Sequence, residues 1–277
     1  MDTNLTKHQI ANYALTAGLA AAKILIRHHD GLLSDDIETK SDGSPVTIAD
    51  KESDRKIHEL LAPSKIYIVS EETKATDERF QQRSIWSVDP LDGTKEFIKK
   101  NGEFSLNIAL VNNNVPYFGL IIAPMKGLIC YGFSDDLPLL LRIPVIEFNT
   151  IHVEEIIKMS IPISNPQKIR SKLISIGSRS HSDPKEKEYL QDFIGNKPIV
   201  SSIQIGSALK FISMVNGDAD IYVRSSPTME WDTAAGHALL LGCGGEILDL
   251  KTKSPLTYNK VNLLNPGFVA LLPSIAK

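Results

Sequence analysis

The sequence predicts an α/β fold with an α+β N-terminal lobe, and three observations carry that prediction. The second half alternates short apolar runs with segments at helical spacing, the pattern of an α/β layer. The first half opens on one long helical stretch and then turns to closely spaced strands. The chain has 277 residues, 42% of them hydrophobic, which suits one unit of two lobes or two small domains sharing an interface. The division is expected near residue 150, with an N-terminal lobe over 1–150 and a C-terminal α/β lobe over 151–277.

Residues 6 to 29 read as a helix, since Ile10, Ala14, Ala17, Ala21, Ile24 and Leu25 recur at helical spacing behind a Thr6–Gln9 capping pattern. The turn formers Asp42, Gly43, Ser44 and Pro45 follow. Thr47 with Asp50 can cap a second helix that ends near Leu61, with Pro63 just beyond. KIYIVS (65–70) and SIWSVD (84–89) are strands that stop at acidic residues. Residues 104–111 and 115–123 flank Asn112, Asn113 and Asn114 and predict a hairpin, with 127–133 as the next strand. Residues 134–168 mix prolines with short apolar runs and read as surface connections between the lobes. Strands are then expected at 173–178, 198–203, 219–224 and 245–250, with helices at 184–194, 207–216 and 231–242.

Charge and cysteine usage exclude several classes. A formal net charge of -3 gives no global basic field, so a polynucleotide partner is disfavoured while a small phosphorylated ligand is not. Cys130 and Cys243 form neither a metal-binding spacing nor a disulfide framework, and read as two buried thiols in a reducing compartment. The first ten residues lack the basic and apolar regions of a secretion signal, and no apolar run approaches the ~20 residues that span a bilayer. A cytoplasmic chain is expected, with peripheral contact at the inner membrane left open.

The sharpest chemical feature is Asp89-Pro90-Leu91-Asp92-Gly93-Thr94. A strand ends there, Pro90 and Gly93 force a turn, and a short helix starts near Thr94. Asp89 and Asp92 can then face one point beside the Leu91 carbonyl, an oxygen set that suits a hard divalent cation. The amides of Gly93 and Thr94 meet an anion at a helix start. Taken singly, Asp-x-x-Asp-Gly is more often an acidic turn that caps a helix. Glu71 and Glu72 also follow a strand, where α/β proteins place their sites, although such a pair is commonly just a solvated loop. Asp232, in Trp231-Asp232-Thr233-Ala234-Ala235-Gly236, starts a helix of small residues and by itself reads as a plain N-cap.

Together these three segments resemble the inositol monophosphatase superfamily of metal-dependent, lithium-sensitive phosphatases, in order and over nearly the whole chain. The resemblance implies a layered αβαβα sandwich. Within that family the chain looks like the 3'(2'),5'-bisphosphate nucleotidase branch of bacterial sulfur assimilation. Four segments carry this: the run from Lys40 to Asp50, Ser178-Arg179-Ser180-His181, Gly206 to Phe211, and Pro227 to Asp232. The stretch Ser225-Ser226-Pro227 departs from the aromatic residue and Gly that many relatives carry before the Pro.

The resemblance implies roles. Glu71, Asp89 and the Leu91 carbonyl would hold one Mg²⁺, and Asp89, Asp92 and Asp232 a second. Thr94 and Asp50 would orient the attacking water, with Gly93 and Thr94 amides on the phosphate. His181, Ser207, Lys210 and Arg224 would contact the nucleotide or its second phosphate, with Asp232 nearby. Lys210 and Arg224 would then need a bisphosphate to neutralise them. The expected reaction converts adenosine 3',5'-bisphosphate to AMP and phosphate, in a monomer or homodimer. The 2' isomer and the 3'-phosphorylated sulfate donor are equally open as substrates. The rivals are an inositol monophosphatase or sugar bisphosphatase, and a catalytically silent nucleotide-binding regulator. His28 and His29 read as charges at a helix end, His237 as a core histidine, and Trp231 as a core residue rather than an adenine platform. His8, His58 and His152 have no visible partners.

Overall fold

A computed structural model describes residues 5–31, 33, 36–40, 43–163, 171–179, 183, 185–195, 197–273 and 275. Helix α1 (Lys7–Gly31) starts at the expected cap: Thr6 N donates to Gln9 Oε1 at 2.9 Å, and Gln9 N to Thr6 Oγ1 at 3.2 Å. A small hairpin of β1 (Ile37–Thr39) and β2 (Pro45–Thr47) leads into α2 (Ile48–Leu61), whose Thr47–Asp50 capping box is formed.

Seven strands then build the first sheet in chain order: β3 (Tyr67–Ser70), β4 (Ser84–Asp92), β5 (Ser105–Asn112), β6 (Val115–Ala123), β7 (Leu128–Phe133), β8 (Leu139–Arg142) and β9 (Ile161–Pro162). Helix α3 (Thr94–Ile98) sits between β4 and β5, and α4 (Val153–Met159) precedes β9. Among the described residues of this sheet, β3 and β4 pair in parallel and the other neighbours antiparallel. The β5–β6 turn falls on Asn113 and Asn114, at φ 49° and 64°, the left-handed pair that a tight twisted hairpin demands.

The second sheet takes β10 (Leu173–Ser178), β11 (Ile199–Ile205), β12 (Ile221–Arg224), β14 (Glu246–Asp249) and β16 (Phe268–Leu271), in the order β11-β10-β12-β16-β14. Between them in sequence lie α5 (Glu186–Ile194), α6 (Leu209–Val215) and α7 (Ala234–Gly242), with a minor ribbon of β13 (Thr228–Met229) and β15 (Leu264–Asn265). The central strands are apolar on both faces because both faces are covered. On the first sheet, Trp86, Ile108, Leu120 and Ile122 face α1 and α2, while Ile85, Ala109, Ile121 and Cys130 face α6 and α7. On the second, Ile176, Tyr222 and Ala270 face α6 and α7, while Ile221, Val223 and Val269 pack with Ile194 of α5. The layers run α1/α2, sheet, α6/α7, sheet, α5, the layered αβαβα arrangement that the resemblance implied.

Four readings change. Of the stretch 134–168, residues 164–168 lie outside the described residues, and 134–163 are not mere surface connections: β8 and β9 extend the first sheet, and Leu141, Phe148, Ile151 and Ile156 enter its core. The short apolar runs there are two short strands and one helix face, too brief to announce themselves beside the prolines. The helix read over 231–242 breaks into a 3₁₀ turn over Glu230–Asp232 and α7, because Thr233 departs from helical geometry. β16, between β12 and β14, had no reading at all. Finally, Lys7–His29 is long and apolar enough to cross a membrane by length and composition, contrary to expectation. Its Ala14, Leu15, Ala17, Ala21 and Leu25 are fully buried in the core under the first sheet.

Candidate active site

The site grows from the end of β4. The strand continues through Pro90 to Asp92, with a register shift against β5 between Asp89 and Asp92. That irregularity brings two acidic residues to one strand end, and Leu91 N braces the turn by donating to Asp89 Oδ1 at 3.0 Å. Gly93 follows at φ 92°, where a side chain is strained, and opens α3.

Glu71, Asp89, Leu91, Asp92, Gly93, Thr94, Ser207, Lys210, Arg224 and Asp232 all line one cleft of about 450 Å³ between the two halves of the molecule. Asp50 stands behind it, buried, reached through Thr94. Its Oδ2 accepts from Thr47 N (2.7 Å) and Thr47 Oγ1 (2.6 Å), and its Oδ1 accepts from Thr94 Oγ1 at 3.2 Å. The expected hydroxyl–carboxylate pair is therefore formed. Burial pushes the Asp50 carboxyl up to about 6, against the two Thr47 bonds. His181 lies outside the described residues.

The acidic groups repel one another. Burial pushes the Asp89 and Asp232 carboxyls well above the ordinary range, and the neighbouring charges of Glu71 and Asp92 push further. Glu71 is also raised, mainly by burial, although Lys40 opposes this. Lys40 Nζ donates to Glu71 Oε1 at 2.7 Å and Glu72 Oε1 at 2.6 Å. Asp92 Oδ2 accepts from Ser207 Oγ (2.8 Å), Ala208 N (2.6 Å) and Asn107 Nδ2 (3.3 Å). Ser207 thus grips Asp92, rather than standing open to a ligand.

An all-oxygen donor set under mutual repulsion fits the chemistry of a hard divalent cation, which would relieve that repulsion. The set is not a finished cage: among the described residues, no group of three or more His, Cys, Asp and Glu stands ready to hold a metal ion. Each of the four carboxylates has committed one oxygen: Glu71 to Lys40, Asp89 to the Leu91 amide, Asp92 to the start of α6 and Asp232 to the Met229 amide.

Across the cleft are the cations. Lys210, on α6, is buried, and its Nζ donates to the carbonyls of Ser207 (2.5 Å) and Ile205 (3.3 Å). Burial pushes its amine down to about 8, with Asp92 opposing. Arg224, at the end of β12, is also buried. Trp231 both packs in the core between the sheets and lines the cleft.

Sequence reasoning missed Ser105 and Asn107, and gave no individual role to Lys40 and Glu72. Lys40 meets its partners 31 and 32 residues away, which no local spacing reports. Ser105 and Asn107 carried a signal, being two polar residues at alternate positions of an otherwise apolar strand. Both are buried, and they pair across the ladder with Asp92 and Asp89. The bystander histidines behave as expected at His237, which is buried against the Tyr258 hydroxyl at 3.0 Å. His28 contacts Glu52 at 3.0 Å, whereas His29 packs between Phe97 and Phe104. Neither is a ligand pair with the other.

Comparison with known proteins agrees with this architecture. The model of the inositol monophosphatase family matches residues 6–275. The chain is 36% identical over 264 residues to the 3'(2'),5'-bisphosphate nucleotidase CysQ of Escherichia coli strain K12, covering 94% of this chain and 97% of that protein. It is 35% identical over 263 residues to the protein of the same name from Salmonella typhimurium, with the same coverage. A solved structure of CysQ from Bacteroides thetaiotaomicron, described as a bacterial member of the inositol monophosphatase family, superposes with a TM-score of 0.84 at 36% identity, covering 97% and 99% of the two chains. An inositol monophosphatase from Anabaena shares the fold, with a TM-score of 0.70 at 22% identity, covering 97% and 92%. By its family match, its relatives and its layered fold, this chain belongs to the inositol monophosphatase family.

Proposed function

We propose that this chain is a magnesium-dependent 3'(2'),5'-bisphosphate nucleotidase that removes the 3'-phosphate of adenosine 3',5'-bisphosphate, leaving AMP and phosphate. One observation carries the reading: an acidic turn with buried Asp89 and two buried cations, Lys210 and Arg224, line the same cleft. Nearly full-length likeness to nucleotidases of that name supports it.

Glu71, Asp89, the Leu91 carbonyl, Asp92 and Asp232 would hold magnesium. When bound, the ions supply a water made acidic enough to attack phosphorus and neutralise charge on the transferring group. Thr94 would orient the attacking water, and Asp50 would accept its proton through the Thr94 hydroxyl. The amides of Gly93 and Thr94 hold phosphate oxygens at the start of α3. Ser207 keeps Asp92 aimed at the cleft. Lys210 and Arg224 meet the 5'-phosphate, which a simple monoester lacks, and His181 belongs to the same substrate side.

Phosphate release tests this with adenosine 3',5'-bisphosphate, inositol 1-phosphate and a sugar bisphosphate, each with magnesium and with EDTA. Magnesium-dependent turnover that favours the nucleotide is expected, with inhibition by millimolar lithium. Preference for either other substrate would move the chain to another branch of the family. No release from any of them would make it a silent nucleotide binder.

A further inference from the structure

Glu103 lies on the loop between α3 and β5, on the same side of the cleft as the acidic turn. Its carboxylate holds Arg179, one residue past β10, in a two-point grip: Arg179 Nε donates to Oε2 and Nη2 to Oε1, both at 2.8 Å. Arg179 Nη2 also donates to the Gln204 carbonyl of β11 at 3.0 Å. The Gly206 amide, just past β11, donates to Glu103 Oε2 at 3.0 Å. One side chain thereby collects the ends of two parallel strands of the second sheet.

The backbones are equally close. A Cβ on Gly206 would lie 2.9 Å from the Glu103 carbonyl oxygen, and one on Gly93 would lie 3.3 Å from that same oxygen. Gly93 belongs to the acidic turn. Gly206 opens the turn that carries Ser207 and Ala208 to Asp92 and anchors Lys210 through the Ser207 and Ile205 carbonyls. Glu103 therefore sits where the two sides of the cleft are gauged against each other. The Glu103 side chain is largely covered and that of Arg179 is half exposed. A partly exposed ion pair adds little to global stability, but a guanidinium fork fixes direction and spacing.

We propose that Glu103 and Arg179 are a positioning latch that sets the distance between the acidic turn and Lys210, and so determines selectivity for a substrate with two phosphate groups over a simple monoester. This rests on the function proposed above. A monoester needs only the acidic turn. A bisphosphate must meet the turn and Lys210 together, so only its binding depends on the spacing. Asp92 keeps its own bonds to Ser207 and Ala208 when the latch is cut, so the chemical step is spared.

The test compares Glu103→Gln, Arg179→Lys and the double variant with the wild type in magnesium, on adenosine 3',5'-bisphosphate and on a small aryl phosphate monoester. KM for the bisphosphate is expected to rise about tenfold in each single variant, the size of losing one charge-assisted fork. Both kcat values and the KM for the monoester should stay within about twofold, and the double variant should be no worse than the singles, as for two members of one contact. Melting curves check the fold, since a merely structural role would lower the midpoint and weaken both substrates alike. Equal effects on the two substrates, or none, overturn the latch while leaving the nucleotidase reading intact. A wild type that cannot hydrolyse the bisphosphate overturns that reading before any variant is made, and the latch's selectivity with it.

Discussion

Replacing Thr94 with valine removes one hydroxyl while keeping a β-branched side chain of similar size at the first position of α3. The helix cost of that exchange is a few tenths of a kcal/mol, roughly. Thr94 Oγ1 lies 3.2 Å from Asp50 Oδ1 and 3.3 Å from the Leu91 carbonyl. A hydroxyl has one proton, so it serves one of these at a time, and both distances are long for such a bond. Asp50 also keeps its two shorter bonds from Thr47. The loss of stability should therefore be about 1 kcal/mol. The loss of catalysis should be larger, because a positioned proton acceptor is worth roughly a hundredfold or more, or about 2.7 kcal/mol of barrier. Phosphate release at saturating bisphosphate and magnesium gives kcat, and chemical denaturation gives the stability. Thr94→Ser should restore most of the rate, since it returns the hydroxyl. In the wild type, burial holds Asp50 near 6, so it accepts a proton only above that pH and the rate should climb through it. A Thr94→Val protein that keeps more than about a tenth of the wild-type kcat would refute the role of this pair.

Three further outcomes follow from the same geometry. Asp92→Asn can still accept the Ala208 amide and Ser207 hydroxyl through its carbonyl oxygen but loses its charge, so the fold should persist while turnover falls by at least about a hundredfold; near-normal phosphate release would remove Asp92 from the metal site. Lys210→Ala should raise KM for the bisphosphate about tenfold and leave a monoester nearly unchanged. Since burial brings the Lys210 amine down to about 8, wild-type kcat/KM for the bisphosphate should also decline as pH rises past that value, and a profile that stays level to pH 9 would count against it. His237 is buried with its pKa pushed down to about 3. The unfolded chain takes up that proton below about 6.5 and the folded one does not, so this residue's contribution is intact above 6.5 and is lost as pH falls toward 3. The full loss is on the order of 5 kcal/mol. Asp89 and Asp232, whose raised carboxyls take up protons in the folded state, act in the opposite sense. The pH slope of unfolding free energy in wild type minus that in His237→Asn isolates the histidine, and identical slopes from pH 6.5 to 4.5 would contradict its burial as a neutral group.

Local chemistry was legible in the sequence wherever a structure depends on residues a few positions apart. The Thr6 and Thr47 caps, the Asn113–Asn114 turn and the start of α3 at Gly93–Thr94 formed as read, because hydrogen bonds and backbone angles within four residues decide them, whereas β4 runs on to Asp92, past the stop read at Asp89. The family was legible too, since three separated motifs had to occur in order. Only the tertiary structure decided the rest, because pairing between distant strands and side chains is set by which surfaces bury each other. β16 enters the sheet between β12 and β14, and β8 and β9 leave an unpromising stretch to extend the first sheet. Lys40 reaches Glu71 and Glu72, Ser207 turns toward Asp92, and Glu103 grips Arg179 from 76 residues away. The sequence named the acidic groups that meet; the packing of two sheets around α6 and α7 decided what each of them touches.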